Sequence, residues 1–368
     1  MSKVYSHFIA LFAFILLTAF STQAQINTPR GSQMATVSQT IGISTIEITY
    51  SRPSVKEREI WGKLVPYGLN NLGFGPSEAS PWRAGANENT TITFSSDMKV
   101  EGMDTKAGTY GLFLEVKENN AATLILSNNS TSWGSFFYDE AEDVLRAEIV
   151  TTTIPHTEIL TFDFTEVSAT TATAALNWEK KSFPFTIEVP VTELVLADIR
   201  NDMRNQPGFN RQTWEQAANF SLNNDGDLDE ALEWIDKAIA GQFFSQKTFT
   251  NLQIKSGILA KQGKQAEAMQ IMDDNLDTGT IFEVHQYGRS LIANGMKDKA
   301  LEIFQYNANK FNDQWPVHYG LARAYSANGD YETALKHLEI AHNNAPNPGS
   351  KGRVEANIEK LKKGEDIN

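Results

Sequence analysis

The sequence predicts two domains of different class, an all-β antiparallel sandwich or jelly roll followed by an all-α solenoid of helix-turn-helix repeats. Three observations predict it. Short runs rich in Thr, Ile, Val and Phe crowd the first half. Four glycine–alanine pairs, Gly226/Ala231, Gly263/Ala268, Gly295/Ala300 and Gly329/Ala334, recur through the second half at steps of 37, 32 and 34 residues. There is no alternation of helical and strand patterns, which excludes a doubly wound nucleotide-binding sheet.

The first element is a leader. Lys3 precedes an apolar run from Phe8 to Phe20, and small residues stand at Thr22 and Ala24, the pattern of a secretory signal peptide over 1–24. The run is too short to span a membrane. With no cysteine in the chain there is no acceptor for a lipid anchor and no disulfide framework. A periplasmic or secreted protein without a membrane anchor after cleavage is expected. The formal net charge of −13 argues against a nucleic-acid partner.

Residues 25–190 read as the β-domain. The runs "ISTIEITYS", "TTITFS", "GTYGLFLEV", "ATLILS", "VLRAEIV", "TEILTFDFTEV", "TATAALNWE" and "FPFTIEV" suggest eight or nine strands. Ile46, Ile48 and Tyr50 alternate with Thr45, Glu47 and Thr49, the period of a half-buried strand. Alternation alone does not separate a sandwich from a barrel. Ser96 and Lys99 have the Ser-x-x-Lys spacing of some acylating enzymes, yet Gly102 beside strand-like runs suggests a hairpin there.

Residues 191–209 are expected as a linker helix, with Leu194, Leu196, Ile199 and Met203 on one side and "NQPGFN" as its break. Residues 210–349 hold four repeats. In the last, Leu321, Ala322 and Tyr325 precede Gly329, Ala334, Leu338 and Ala341 follow it, and Pro346 ends the unit. This resembles the tetratricopeptide repeat, in which small residues let paired helices approach closely. The third unit, with Gly288, Gly295, Ala300 and Phe304, resembles it too. The first two fit less well, because Asn219 and Ser256 stand where a small residue is expected. Residues 350–368 form a capping helix and tail with Val354, Ile358 and Leu361 at helical spacing.

The β-domain carries strings of its own: "YSRPSVKEREIWGKLVPYG" from Tyr50, "WRAGANENTTITF" from Trp82, "KAGTYGLF" from Lys106 and "WGSFFYDEAEDVLR" from Trp133. These resemble the exported family catalogued as domain of unknown function 2911, over roughly residues 34–190. Members of that family that continue into tetratricopeptide repeats match the whole architecture. The resemblance carries over no catalytic residue.

Candidate site residues therefore rest on their own chemistry. Long segments at 51–90 and 127–143 interrupt the strands and hold Arg52, Trp82, Arg83, Asn87, Glu88, Trp133 and Tyr138. If those loops converge, an arginine holding a carboxylate beside tryptophan faces would make a ligand site. The other reading pairs the arginines with Glu88 to tie the loops down, with Asn87 and Asn89 bonding loop backbone. In the repeats, counting back six residues from each turn glycine gives Phe220, Gly257, Arg289 and Arg323, and one helical turn earlier Gln216, Gln253, His285 and Tyr319. His285, Arg289, Tyr319 and Arg323 would form a basic patch for an acidic or C-terminal peptide.

Chemistry of other kinds finds little footing. Of the six histidines, His7 lies in the leader and only His156 in the β-domain, so neither a metal nor another cofactor is expected. "SLNNDGDLDEAL" lacks the glutamate that a calcium loop needs at its twelfth position, where Leu232 stands. "DTG" at 277–279 has no second copy, and Asp139, Glu140, Glu142 and Asp143 read as a solvated turn or short helix start. The function expected is an exported non-catalytic interaction protein, binding protein or peptide through the repeats and a second ligand on the β-domain. A cell-envelope hydrolase with its active site in the β-domain loops is the alternative. Oligomeric state is left open.

Overall fold

The computed structural model describes residues 29–312 and 314–368, so the expected signal peptide lies outside the described residues. Two compact units divide after Val191.

Among the described residues the first unit has ten strands: β1 (Gln33–Ile41), β2 (Ser44–Arg52), β3 (Thr90–Phe94), β4 (Met98–Val100), β5 (Met103–Thr105), β6 (Gly108–Val116), β7 (Ala121–Ser127), β8 (Asp143–Val150), β9 (Thr152–Val167) and β10 (Thr171–Glu188). Pairing is antiparallel within both sheets, a six-stranded sheet β1-β2-β3-β6-β7-β8 and a four-stranded sheet β5-β4-β10-β9. The inner faces meet as a sandwich, with Tyr50 of β2 edge-on to Phe162 of β9 at 4.9 Å. Beyond β2 the chain leaves its sheet and bonds β9, Val55 N–H donating to the Glu158 carbonyl at 2.8 Å, which ties the two sheets along one side. Ile46, Ile48 and Tyr50 are buried, as their alternation implies.

Two strands differ from the sequence reading. β1 carries mostly polar residues because it is an edge strand half in water, so its apolar alternation is weak, with only Ala35, Val37 and Ile41 apolar on the more buried face. The runs at 171–179 and 183–189 are one strand. Ala172, Ala174, Leu176 and Trp178 face inward at even positions, then Phe183, Phe185 and Ile187 at odd ones. The parity changes where pairing with β9 shifts register around Glu179, whose φ is 54°. The irregular stretch there re-aims the rest of the strand, β9 contributing the excess residues (Asn177 pairs with Thr161 but Lys181 with Thr153), and it reads in sequence as a break. The expected hairpin at Gly102 joins β4 to β5.

Among the described residues the second unit has ten α-helices: α1 (Val191–Asp202), α2 (Arg211–Asn223), α3 (Leu228–Ile239), α4 (Phe249–Lys261), α5 (Gln265–Asp273), α6 (Ile281–Ala293), α7 (Lys297–Phe311), α8 (Trp315–Ala327), α9 (Tyr331–Asn344) and α10 (Pro348–Lys362). Helices α2 to α9 form four antiparallel pairs. The expected helix from Val191 is α1, which packs its Leu196 into one core with Ala217, Trp234 and Ile258. Ala231, Ala268, Ala300 and Ala334 are at most 1% exposed. Gly263, Gly295 and Gly329 adopt φ of 81°, 78° and 83°, which L-residues avoid.

The first turn is one residue longer. There the left-handed residue is Asp225, with φ of 54°, and Gly226 serves instead to let the turn pass Ser221. Register in α2 therefore shifts by one. The small residue is Ala218, fully buried, and Asn219 is exposed. In α4 the buried Ser256 occupies the small site because its hydroxyl donates to the Ala268 carbonyl at 2.9 Å. Between the third and fourth pairs Phe304 is fully buried, and a methyl group at Gly288 would stand 2.7 Å from its ring. One at Gly320 would overlap that ring. After α10 the chain turns at Gly364 and returns, so that Ile367 joins the core of Leu338, Val354 and Leu361.

Two glycines thus make distinguishable predictions. Gly320→Ala should cost about 2–3 kcal/mol by overpacking, and Gly329→Ala, with open space but positive φ, about 1 kcal/mol. Denaturant unfolding of the helical transition tests this; equal costs would refute the assignment.

Candidate functional site

The repeats present two places of interest. At the last pairs, His285 of α6 stacks on Tyr319 of α8 (6.3 Å, interplanar 5°) and meets Phe304 edge-on at 5.3 Å. Its Nδ1 lies 3.2 Å from the Pro316 carbonyl, so that nitrogen carries the proton and donates. Burial, with the charges of Arg323 and Arg289 adding, pushes its pKa down to about 4. Arg323 lies over the Tyr319 ring (5.1 Å) and donates to its hydroxyl at 3.3 Å. Its Nη1 reaches the Ile367 carbonyl (3.3 Å) and Asn368 Oδ1 (3.4 Å), while Asn368 returns a bond to the Arg323 carbonyl at 3.0 Å. Asp366 accepts from the Ser326 hydroxyl at 2.6 Å. Residues 366–368 thus cover the Arg323 side of the stack. Arg289 is exposed, and among the described residues its side chain bonds Gln286 alone, at 3.4 Å.

The open cleft lies elsewhere, along the first helices of the first three pairs, with a volume of about 970 Å³. Of the counted groove positions it takes Gln253 and Gly257, and none of His285, Arg289, Tyr319 and Arg323. Asn219 lines it and Phe220 does not, since the long first turn moves the register by one. Leu222, Ile254 and Leu291 contribute apolar surface. The second pair is the shortest, α5 having nine residues, and its Gln265 and Met269 border the opening. The side-chain amides of Gln253 and Asn294 make no hydrogen bond to another described residue. Lys261 is the one charged residue of the lining, and its ammonium is spent on the Leu222 carbonyl (3.0 Å) and Asp225 (2.9 Å).

In the β-domain the seven candidate residues do not share one site. Arg52 donates to the Leu160 carbonyl (2.9 Å) and Thr161 Oγ1 (2.8 Å), fastening β2 to β9. Glu88 pairs with Arg30 at 2.5 Å, and with neither Arg52 nor Arg83. Trp133 is exposed. Tyr138 donates to Asp143 at 2.6 Å and accepts from Arg146 at 2.8 Å, so its hydroxyl is held protonated by burial and by that carboxylate. Asp139 caps the short turn Glu140–Glu142, and His156 is exposed beside Glu158. Asn89 donates to the Asn129 carbonyl at 3.0 Å, as a loop brace.

Trp82, Arg83 and Asn87 do come together, in a cleft of about 310 Å³. Trp82 is placed by two backbone bonds with Leu114 of β6 (2.9 and 2.8 Å) and stacks on Trp178 of β10 at 5.8 Å. Asn87, at φ of 62°, donates to the Ser32 carbonyl at 3.1 Å. Arg58, Asn70 and Trp178 also line the cleft. Sequence reasoning missed them because Arg58 sits in a charged "KERE" run that reads as solvated, and Trp178 reads as ordinary strand core.

Residues 32–187 match the family model described as "Protein of unknown function (DUF2911)", and residues 315–339 match a tetratricopeptide repeat model. Both resemblances drawn from the sequence therefore hold. No curated protein matches the chain. Among solved structures the chain is similar to the C-terminal part of a TPR repeat-containing protein from Cytophaga hutchinsonii, with 15% identity, 47% of this chain and 70% of that one covered, and a TM-score of 0.33. A thermophilic TPR protein of Thermus thermophilus has 17% identity, coverage of 45% and 90%, and a TM-score of 0.32. YrrB, a TPR protein with an unusual peptide-binding site, has 17% identity, coverage of 45% and 84%, and a TM-score of 0.29.

The His285 environment fixes the sign of a pH effect. Its folded pKa lies below its ordinary value of 6.5, so between pH 6.5 and about 4 the unfolded chain takes up a proton that the folded residue refuses. Stability should fall as pH drops through that window, by on the order of 2 kcal/mol. His285→Gln should flatten the dependence, leaving the smaller contribution of His337, whose pKa burial also lowers. An unchanged slope in unfolding titrations would contradict the assignment.

Proposed function

We propose that the protein is an exported, non-catalytic interaction protein whose repeats hold an extended peptide segment of a partner in the cleft across the first three pairs. Tetratricopeptide repeats serve generally as protein-interaction modules. The observation that carries the more specific reading is the chemistry of the cleft wall. Gln253 and Asn294 offer side-chain amides without internal partners, and each amide carries both donors and an acceptor. An extended peptide presents the complementary pair at every residue, while Leu222, Ile254 and Leu291 accept its apolar side chains. A lining with one already paired cation favours backbone recognition over recognition of acidic side chains.

Export rests on Lys3, the apolar run from Phe8 to Phe20 and the small residues before Gln25. No described helix is long and apolar enough to cross a membrane. In the β-domain cleft no carboxylate and no histidine is among the lining residues, which supports binding over proton-transfer chemistry there.

Peptides selected by display on the full chain test the cleft. Replacing Asn219, Gln253 and Asn294 together by alanine should weaken a selected peptide at least roughly tenfold, the worth of one or two lost hydrogen bonds. Reversing Arg289 and Arg323 should leave it unchanged. The opposite pattern would return the site to the His285–Arg323 stack.

A further inference from the structure

We propose that the β-domain cleft binds a small organic acid, with the Arg83 guanidinium holding the carboxylate and the Trp82 face holding its apolar body. This inference is independent of the peptide cleft in the repeats.

It begins from an unbalanced charge. Several other arginines of the β-domain and repeats have acids: Arg30 has Glu88, Arg146 has Asp143 and Glu115, Arg200 has Glu230 and Arg211 has Glu215. Arg52 lacks one but spends two nitrogens on β9. Arg83 is half-buried, and among the described residues no carboxylate lies within ion-pair reach of it. Its single bond runs from Nη1 to the Asn87 carbonyl at 2.7 Å. Burial without a counter-charge lowers its pKa, the cost expected for a desolvated cation.

The group is held in place as well as unpaired. Cζ lies 5.5 Å from the centre of the Phe136 ring. On the other side it rests on Gly134, where an added Cβ would stand 2.5 Å from Nη1 and 2.6 Å from Cζ. Gly134, at φ of 70°, is therefore the residue that makes room for the guanidinium. Nε and Nη2 make no hydrogen bond to the described residues, and neither is among the unpaired polar atoms sealed from solvent. Those two N–H groups form the edge that a carboxylate meets with both oxygens.

The surroundings select the rest of the ligand. Arg58 also lines the cleft, and no acid does, in a chain of net charge −13. Because Arg58 donates Nε to the Val55 carbonyl at 3.0 Å and Nη2 to the Ser54 carbonyl, it supplies positive field and not a second clamp. One free fork suits a planar carboxylate better than a phosphate, which calls for more donors. Pro66, Leu72 and Trp82 make the apolar wall, while the Asn70 amide is spent on the Tyr67 and Gly68 carbonyls (3.3 and 2.9 Å). About 310 Å³ is the lower end of the range for small-molecule sites.

The full chain would be titrated with phenylacetate and indole-3-acetate, with the corresponding neutral amides, and with inorganic phosphate. Ligand-observed NMR and tryptophan fluorescence would report binding. Expected is saturable binding of at least one acid, at least roughly tenfold tighter than its amide and weakening as salt is raised. Arg83→Gln should abolish the difference between acid and amide, and Arg83→Lys should keep part of it. Equal binding of acid and amide, no binding of either acid, phosphate binding as tight as the acids, or an intact preference in a folded Arg83→Gln protein would overturn the proposal. The acid–amide comparison on the unmodified chain keeps the test decisive if the variants fail to fold.

Discussion

Single residues in left-handed backbone conformation set the register of both units, and everything functional is placed by that register. In β10 the residue is Glu179, and in the repeats the residues are Asp225, Gly263, Gly295 and Gly329. Each fixes a count: how many positions separate the turn from the small residue inside a helix pair, or which parity of a strand faces the core. A strand has period two, so one added residue exchanges inside for outside. A helix advances about 100° per residue, so one added residue rotates the exposed face by more than a quarter turn. Without Glu179, Trp178 and Phe183 would not both face inward, and both rings pack with Trp61 and Trp82. Trp82 in turn is the wall beside Arg83.

The same constraint explains why the repeats leave a cleft where they do. Pairs close where small residues meet large ones, as at Gly288 and Gly320 around Phe304. There the third and fourth pairs are filled, and the His285–Tyr319–Arg323 stack lies on top with residues 366–368 against it. Toward the first pairs the corresponding groove positions are Asn219, Gln253 and Gly257, whose side chains are small or end in amides. Space and unpaired amides remain. The cleft is thus a consequence of which side chains occupy equivalent positions, with the backbone plan held constant.

Much of this was legible from the chain. The glycine–alanine period is local chemistry repeated, and each unit satisfies it within about 35 residues. Strand positions were legible where one face is dry, as with Ile46, Ile48 and Tyr50, and hard to read where the inward face is only half dry, as in β1. The one-residue excess in the first turn misled because Gly226 looks like the turn residue while Asp225 performs its part. Candidate residues fared worse, for a physical reason. Whether Arg52, Arg83 or Glu88 is spent or available depends on partners 108, 4 and 58 positions away, and partner distance in sequence has no period to read. The signal that distinguishes Arg83 is the absence of an acid around it, which only three dimensions can show.

Acid placement closes the argument. The chain carries 45 acidic residues, yet neither the repeat cleft nor the Arg83 cleft has one in its lining. Two other hollows differ: one at Asp97–Lys106 and one at His342–Glu355 are lined by acids, several already paired with lysines beside them. Where charges are internally paired, a ligand would have to break a pair to gain one, and the net gain is small. In the repeat cleft the open groups are neutral amides, and in the β-domain cleft an unspent guanidinium edge. A strongly acidic surface meanwhile repels anions and repels other acidic chains at distance. Only a ligand that reaches past that surface finds a complementary group, so the −13 charge that argues against nucleic acid also sharpens selection at these two clefts.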